Sequence, residues 1–223
     1  MLFFGILSLL LAVTSAEVCY KATEAACLPN GANKSSDIRL PECNAVYGSI
    51  KDVQVNLQSF AMANLETSFK FLFMSSYVGT YEYNREGFKK LYRKHSDKLW
   101  DDAVDVMKYI TNRGGSMNFE QPSQLSANVS QGSLDLSELP SLSRALDILK
   151  ELADAAFRIH KKAQEHNSHD PAIAHYIDEQ FLESHTERVR ELAGYVTELK
   201  KLSSAQDYAV ATFLFDEYLQ KSL

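Results

Sequence analysis

From residue 50 onward, apolar side chains recur every three or four positions along most of the chain. This spacing indicates α-helices with one apolar face, because a helix completes a turn in about 3.6 residues. The predicted inward positions are Leu57, Phe60, Ala61, Leu65, Phe69, Leu72, Phe73 and Tyr77 in the first helix, and Phe88, Leu91, Tyr92, His95, Leu99, Ala103, Val106, Met107 and Ile110 in the second. Arg113-Gly114-Gly115 predicts the end of the second helix.

Three more helical segments follow. The third is predicted from about Ser141 to Glu165, and Asp170-Pro171 predicts the start of the fourth, with the Asp as N-cap and the Pro in the first position. Their predicted inward positions are Leu142, Ala145, Leu149, Leu152, Ala156, Ile159 and Ala163, then Ile173, Ile177, Phe181, Val189, Leu192, Val196 and Leu199. Ser204-x-x-Asp207 predicts the start of a short fifth helix.

The polar stretch at residues 114–140 separates the second helix from the third. A connection of this length is unusual in a compact domain unless it has a structural task. It is long enough to return along a helix of about 38 Å, the length of about 25 helical residues. Residues 49–223 are therefore predicted to form an all-α domain, a four-helix bundle with one long crossover connection and a short C-terminal fifth helix.

The N-terminus carries a different pattern. Residues 2–13 are almost entirely apolar, and the small residues Thr14, Ser15 and Ala16 follow. This run is shorter than the approximately 20 residues needed to cross a membrane. We predict a cleaved secretory signal peptide at residues 1–16, although no Lys or Arg precedes the run, and hence a soluble protein that passes through the endoplasmic reticulum and Golgi and is secreted.

All three cysteines, Cys19, Cys27 and Cys43, fall in an irregular extension at residues 17–48. The secretory pathway favours disulfides, and an odd number suggests one bridge within the chain and one to another chain. Their connectivity is open, and three unpaired thiols are the alternative. Asn33 and Asn128 begin Asn-x-Ser sequons and are candidate glycosylation sites.

The formal net charge of −6 disfavours nucleic acid and an anionic membrane surface as partners, since both select clustered Lys and Arg. Cations are the expected ligands. Within the second helix, Asp97, Asp101, Asp102 and Asp105 accompany His95. These side chains are either half of a metal site or the solvated face of an amphipathic helix.

Several short segments, weak singly, have the order and spacing of ferritin sequences over residues 50–220. They are Phe71-Leu72-Phe73-Met74-Ser75, Asn112-Arg113-Gly114-Gly115, Asp170-Pro171, Arg190-Glu191-Leu192, Val196-Thr197-Glu198-Leu199 and Phe213-Leu214-Phe215-Asp216. With the leader, the cysteines and the sequons, the chain resembles a light-chain homologue subunit of the secreted ferritins of insects.

The resemblance places the family's ferroxidase ligands at Asn64, Phe71, Leu99, Asp102, Leu149 and His185. It therefore implies that no dinuclear iron centre forms, because hydrocarbon stands at two carboxylate positions. Asn64, Asp102 and His185 then make either a lone metal site or, as we favour, a buried hydrogen-bonded or ion-paired cluster.

The resemblance also assigns roles in iron traffic. It places a three-fold pore at His160, His175 and Asp178, with a His where the family usually has Asp, and mineral nucleation at Asp97 and Asp101. Ordinary surface polar residues and a solvated stripe are the respective alternatives.

The function implied is iron storage by a non-catalytic subunit. Fe²⁺ would be in transit and ferric oxyhydroxide would be stored in a 24-subunit shell shared with a heavy-type ferritin subunit, joined by an intersubunit disulfide. The rivals are a ferroxidase with a relocated metal site and a secreted helical-bundle binding protein, such as a cytokine or lipid carrier.

Overall fold

The computed structural model describes residues 44–120 and 136–223. Its helices are α1 (Ile50–Val78), α2 (Glu86–Asn112), α3 (Glu138–Gln164), α4 (Pro171–Ile177), α5 (Glu183–Ala205) and α6 (Tyr208–Ser222). A 3₁₀ turn (His166–Ser168) precedes α4, and a π-helical segment (Asp178–Leu182) joins α4 to α5 in one continuous rod. This rod is the predicted fourth helix and α6 is the predicted fifth, so the predicted all-α bundle is confirmed.

Helices α1 and α2 form an antiparallel hairpin with small polar residues along their seam. The hydroxyl of Ser96 donates to the Ser68 carbonyl oxygen at 2.9 Å, and the hydroxyl of Ser75 donates to the Lys89 carbonyl oxygen at 3.0 Å. The second layer pairs α3 with the α4–α5 rod, and α6 packs across α2 and α5. The apolar core lies between the two layers.

The predicted inward face of α1 was partly wrong. Phe69 is 45% exposed and Phe73 is 66% exposed, whereas the polar Asn64, Thr67 and Ser68 are buried. The buried stripe of α1 includes small polar residues that bond across the seam. The apolar positions alone therefore predict a buried face that is rotated about the helix axis from the observed one. Phe69 instead packs edge-on against Trp100 at the surface, with ring centroids 6.1 Å apart.

The predicted cap of the fourth helix is confirmed, and the predicted start of the fifth was wrong. Asp170 precedes Pro171, and its side chain accepts a hydrogen bond from the Ile173 amide. At the other end, α5 continues through Ser204, whose hydroxyl donates to a carbonyl within α5. Asp207 itself caps α6 by accepting from the Ala209 amide.

A buried ion pair joins the end of α2 to the start of α4. Arg113 Nη2 lies 2.7 Å from Asp170 Oδ2, and both side chains are about 95% buried. The guanidinium also lies 4.1 Å from the centroid of the Tyr47 ring, and the Ser49 amide donates to the same carboxylate. Gly48, at φ +63°, lets the backbone pass this carboxylate, since a Cβ there would lie 2.6 Å from its oxygen.

Burial acts to raise the pKa of Asp170, but hydrogen bonds from Arg113 and Ile173 outweigh it and hold that pKa below its usual value. The carboxylate therefore stays ionised, and it ties residues 44–49 to the bundle. The predicted signal peptide, the cysteines Cys19, Cys27 and Cys43, and the sequons at Asn33 and Asn128 lie outside the described residues.

Within the described part of the chain, no helix has both the length and the apolar character that crossing a membrane requires.

Candidate functional site

The six positions assigned to the ferroxidase site are all buried in the middle of the bundle. Asn64 and Phe71 come from α1, Leu99 and Asp102 from α2, Leu149 from α3, and His185 from α5, and each is at most 2% exposed. Each lies on the buried stripe of its helix, because the packing of the two layers directs those stripes toward a common interior.

The side chains at these positions do not fit two iron ions. Leu99 and Leu149 are fully buried and offer no lone pair to a metal. A dinuclear iron centre needs several carboxylates, and Asp102 is the one carboxylate among the six positions. Across residues 44–120 and 136–223, no three His, Cys, Asp or Glu side chains group in a way that would hold a metal ion.

Asp102 is neutralised by two cationic side chains. Arg188 Nη2 lies 3.0 Å from Asp102 Oδ2, and Lys98 Nζ lies 2.8 Å from Asp102 Oδ1. Arg188 is itself only 8% exposed, so a guanidinium occupies the interior beside the single carboxylate. Sequence reasoning missed Arg188, although its position three residues after His185 places it on the same helical face.

His185 is bonded to the same guanidinium. Arg188 Nη2 lies 3.3 Å from His185 Nδ1, and because Arg has only donors, Nδ1 must accept. Burial, followed by the charges of Arg188 and Lys98, lowers the pKa of His185 to about 3. The imidazole is therefore neutral near pH 7, and its proton is on Nε2.

A second buried histidine lies on α2. The ring of His95 is 5.5 Å from that of Phe71, and burial lowers the pKa of His95 to about 4. Four polar atoms in this interior, Asn64 Oδ1, His95 Nε2, His185 Nε2 and Arg188 Nη1, have no hydrogen-bond partner among the described residues. Arg188 joins Asp102 to His185 Nδ1 in one buried group, whereas the Asn64 side chain donates to the Phe60 carbonyl oxygen within α1. The choice of a buried cluster over a lone metal site stays a prediction.

These histidines predict a pH-dependent stability. Both folded-state pKa values lie below the unfolded value of about 6.5, so the unfolded chain binds protons that the folded chain excludes. We expect their contribution to the free energy of unfolding to be fully present above about pH 6.5 and to be lost as pH falls toward about 4. The free energy of unfolding should then fall by up to about 2.7 kcal/mol per pH unit for the two groups together.

The measurement is urea unfolding between pH 7 and pH 4.5. The double variant His95→Gln/His185→Gln should show a shallower loss over this range. An equal slope in the variant and the unmodified protein would contradict the assignment to these two groups.

The predicted pore residues lie near the end of α3 and the start of the α4–α5 rod. His160 is half-buried on α3, and Asp178 is exposed in the π-helical segment. The His175 side chain is 76% exposed, and its Nε2 lies 3.4 Å from Glu179 Oε2. The three residues thus line one end of the bundle, and their role in a pore stays a prediction.

The predicted nucleation residues are exposed on α2. Asp97 is paired with Arg93, whose Nε lies 2.8 Å from Asp97 Oδ1, and Asp101 is exposed one turn further along. Pairing with Arg93 reduces the charge that Asp97 offers to iron, so Asp101 is the stronger of the two candidates.

Comparison with known proteins agrees with this arrangement of helices. The ferritin-like domain family matches residues 56–202. A ferritin light chain from Trichoplusia ni is 40% identical, over 97% of this chain and 96% of its own length. A ferritin light chain from Drosophila melanogaster is 39% identical, over 80% of this chain and 81% of its own length.

The fold also resembles a solved structure. The crystal structure of Trichoplusia ni secreted ferritin matches with a TM-score of 0.82 at 38% identity, over 93% of this chain and 100% of that one. The chain therefore belongs to the ferritin family, and it is similar to the ferritin light chains of insects.

Proposed function

We propose that this chain is a non-catalytic, light-type subunit of a secreted, iron-storing ferritin shell. The observation that carries the proposal is the content of the bundle interior, where Leu99 and Leu149 replace metal ligands and Arg188 binds Asp102. This interior holds a fixed cation where an oxidation site would need to bind Fe²⁺.

The charge of Arg188 also disfavours Fe²⁺ in this interior. A buried guanidinium repels a second cation strongly, because the protein interior screens charge less than water does. The charge of Asp102 is already offset by Arg188 and Lys98, so it contributes little attraction for Fe²⁺. Oxidation of Fe²⁺ would therefore be left to a heavy-type partner in a 24-subunit shell.

The remaining roles rest on polar residues outside the buried interior. His160, His175 and Asp178 would line the entry for Fe²⁺ near the three-fold axis, and His175 in place of an acid would weaken the attraction for cations. Asp101, with a smaller share from Asp97, would seed ferric oxyhydroxide on the inner surface. Arg93 limits that share.

The covalent features of the proposal concern the chain before α1. A signal peptide at residues 1–16 would direct the protein into the secretory pathway. One of Cys19, Cys27 and Cys43 would bridge to the heavy-type partner. The solved neighbour is titled a secreted ferritin, which supports the secretory route, and two insect relatives carry the name ferritin light chain, which supports a shell of more than one subunit type.

Fe²⁺ oxidation in shells of defined composition tests the proposal. Shells that contain only this chain should oxidise added Fe²⁺ at the slow rate of the buffer, since the six interior positions supply a single carboxylate, Asp102. Shells co-assembled with a heavy-type subunit should oxidise it rapidly. The readout is the absorbance of ferric oxo species after mixing in air.

The same experiment separates the rivals. Rapid, stoichiometric oxidation by the shells of this chain alone would establish a relocated ferroxidase site and overturn the proposal. Gel filtration of the purified protein provides the second check, because a cytokine or lipid carrier would elute as a single chain of at most 25.1 kDa rather than as a shell.

A further inference from the structure

Two tyrosines near the end of α1 form a pair for which the proposed function has no use. Tyr77 lies in the last turn of α1 and Tyr83 lies in the loop before α2. Their ring centroids are 4.5 Å apart, their planes are tilted by 42°, and their hydroxyl oxygens are in hydrogen-bond contact. Tyr83 is 38% exposed, so a small oxidant in solution reaches the pair.

Hydrogen bonds stabilise the turn that carries Tyr77 and Tyr83. The amide and hydroxyl of Thr80 donate to the Tyr77 carbonyl oxygen at 3.2 Å and 2.9 Å. The Asn84 amide donates to the Thr80 carbonyl oxygen at 2.8 Å, and Asn84 closes the turn at φ +50°. Groups fixed at contact distance react far more readily than free groups, because the entropy of bringing them together is already lost.

We propose that Tyr77 and Tyr83 form an oxidative modification site, at which the two phenols are joined to each other as an intrachain dityrosine. When Fe²⁺ reduces hydrogen peroxide, it becomes Fe³⁺ and yields hydroxide and a hydroxyl radical. Each of two hydroxyl radicals takes one electron and one proton from a phenol and becomes water. The two phenoxyl radicals then join through one carbon–carbon bond.

The new bond links the carbons next to the hydroxyl-bearing carbons. The hydrogen on each of these carbons moves to the adjacent oxygen, which restores two phenols, so the chain loses two hydrogen atoms in total. The hydroxyl contact and the 4.5 Å centroid distance place the hydroxyl-bearing edges of the two rings side by side, which is the approach that this coupling needs. The coupling consumes two oxidising equivalents and ties the α1–α2 loop to the end of α1.

A second tyrosine pair provides an internal comparison. Tyr109 and Tyr176 stack with centroids 3.8 Å apart and planes 3° from parallel. However, Arg113 donates to the Tyr109 hydroxyl at 2.9 Å, and the Tyr176 hydroxyl is buried without a hydrogen-bond partner in the described chain. Their hydroxyl ends do not meet, so we expect no coupling between them.

The test oxidises the full-length protein and locates the bond. One arm uses Fe²⁺ with hydrogen peroxide, and the other uses a peroxidase with hydrogen peroxide and no iron, so that coupling is measured independently of the proposed iron storage. Trypsin releases residues 71–85 as one peptide, because it cleaves after Lys70 and after Arg85. In both arms this peptide should be lighter by two hydrogen atoms and should lack fragment ions from cleavage between residues 77 and 83.

Two conservative variants complete the test. Tyr83→Phe keeps the ring and removes the phenol, and it should lower dityrosine fluorescence by about tenfold or more. Tyr81→Phe is the control, since Tyr81 is 91% exposed in the same loop and should not contribute. Unchanged fluorescence in Tyr83→Phe, equal coupling of Tyr109 to Tyr176, or oxidation confined to added oxygen on Tyr81 would each overturn the proposal.

Discussion

Replacing Asp170 by alanine should lower the free energy of unfolding by about 3–5 kcal/mol, the cost of leaving one member of a buried ion pair without its partner. Arg113 would keep its bonds to the Tyr47 carbonyl oxygen and the Tyr109 hydroxyl, but its charge would remain buried. The substitution also removes the cap that accepts from Ile173, which typically contributes about 1 kcal/mol.

Chemical denaturation monitored by circular dichroism measures this effect, and Asp170→Asn provides the matched control. Asparagine caps helices as well as aspartate does, so this variant loses the charge and retains the cap. Its cost should be smaller than that of alanine by about 1 kcal/mol. A loss of less than 1 kcal/mol in Asp170→Ala would show that the pair does not hold α2 to α4.

The Asp170 effect should also depend on pH. The folded-state pKa of Asp170 is lower than its unfolded value of about 3.9, so its stabilising contribution is present above that value and is lost as pH falls through the folded-state pKa. The difference between Asp170→Ala and the unmodified protein should therefore shrink in strong acid.

Replacing Arg188 by alanine should cost about 3 kcal/mol, because Asp102 would remain buried with only Lys98 beside it. Asp102 is 2% exposed, so solvent cannot replace the guanidinium. The hydrogen bond to His185 Nδ1 would be lost as well. The unfolding midpoint in denaturant provides the measurement.

Two further variants test whether the ion pair causes the loss of stability. Arg190→Ala changes an exposed arginine two residues away on the same helix and should shift stability by less than about 0.5 kcal/mol. The double variant Arg188→Met/Asp102→Leu removes both charges and should recover most of the loss, since apolar replacements of a buried pair are often neutral. A double variant as unstable as Arg188→Ala would show that the ion pair is not the cause.

Much of the fold could be predicted from local patterns. The apolar positions of α2 and α3 are buried as predicted, with Met107 only partly so, because their stripes contain few polar residues. The stripe of α1 could not be predicted in the same way, since it includes the polar Asn64, Thr67 and Ser68, and the bonds between Ser68 and Ser96 form only when α2 is packed against α1. Phe69 and Phe73 were therefore assigned to the wrong face.

What the bundle interior lacks could be deduced from the amino-acid sequence alone. Leucine at positions 99 and 149 has no lone pair in any conformation, so the absence of these ligands does not depend on packing. The cap at Asp170 is likewise local, because its side chain bonds an amide three residues away.

Which charges neutralise one another, in contrast, depends on how the helices pack. Arg188 and Asp102 are 86 positions apart, and Arg113 and Asp170 are 57 positions apart. Their contact depends on the register and rotation of one packed helix against another, which side-chain volumes across the whole core fix together. For that reason the cation that occupies the interior of this ferritin was found in the structure and not in the sequence.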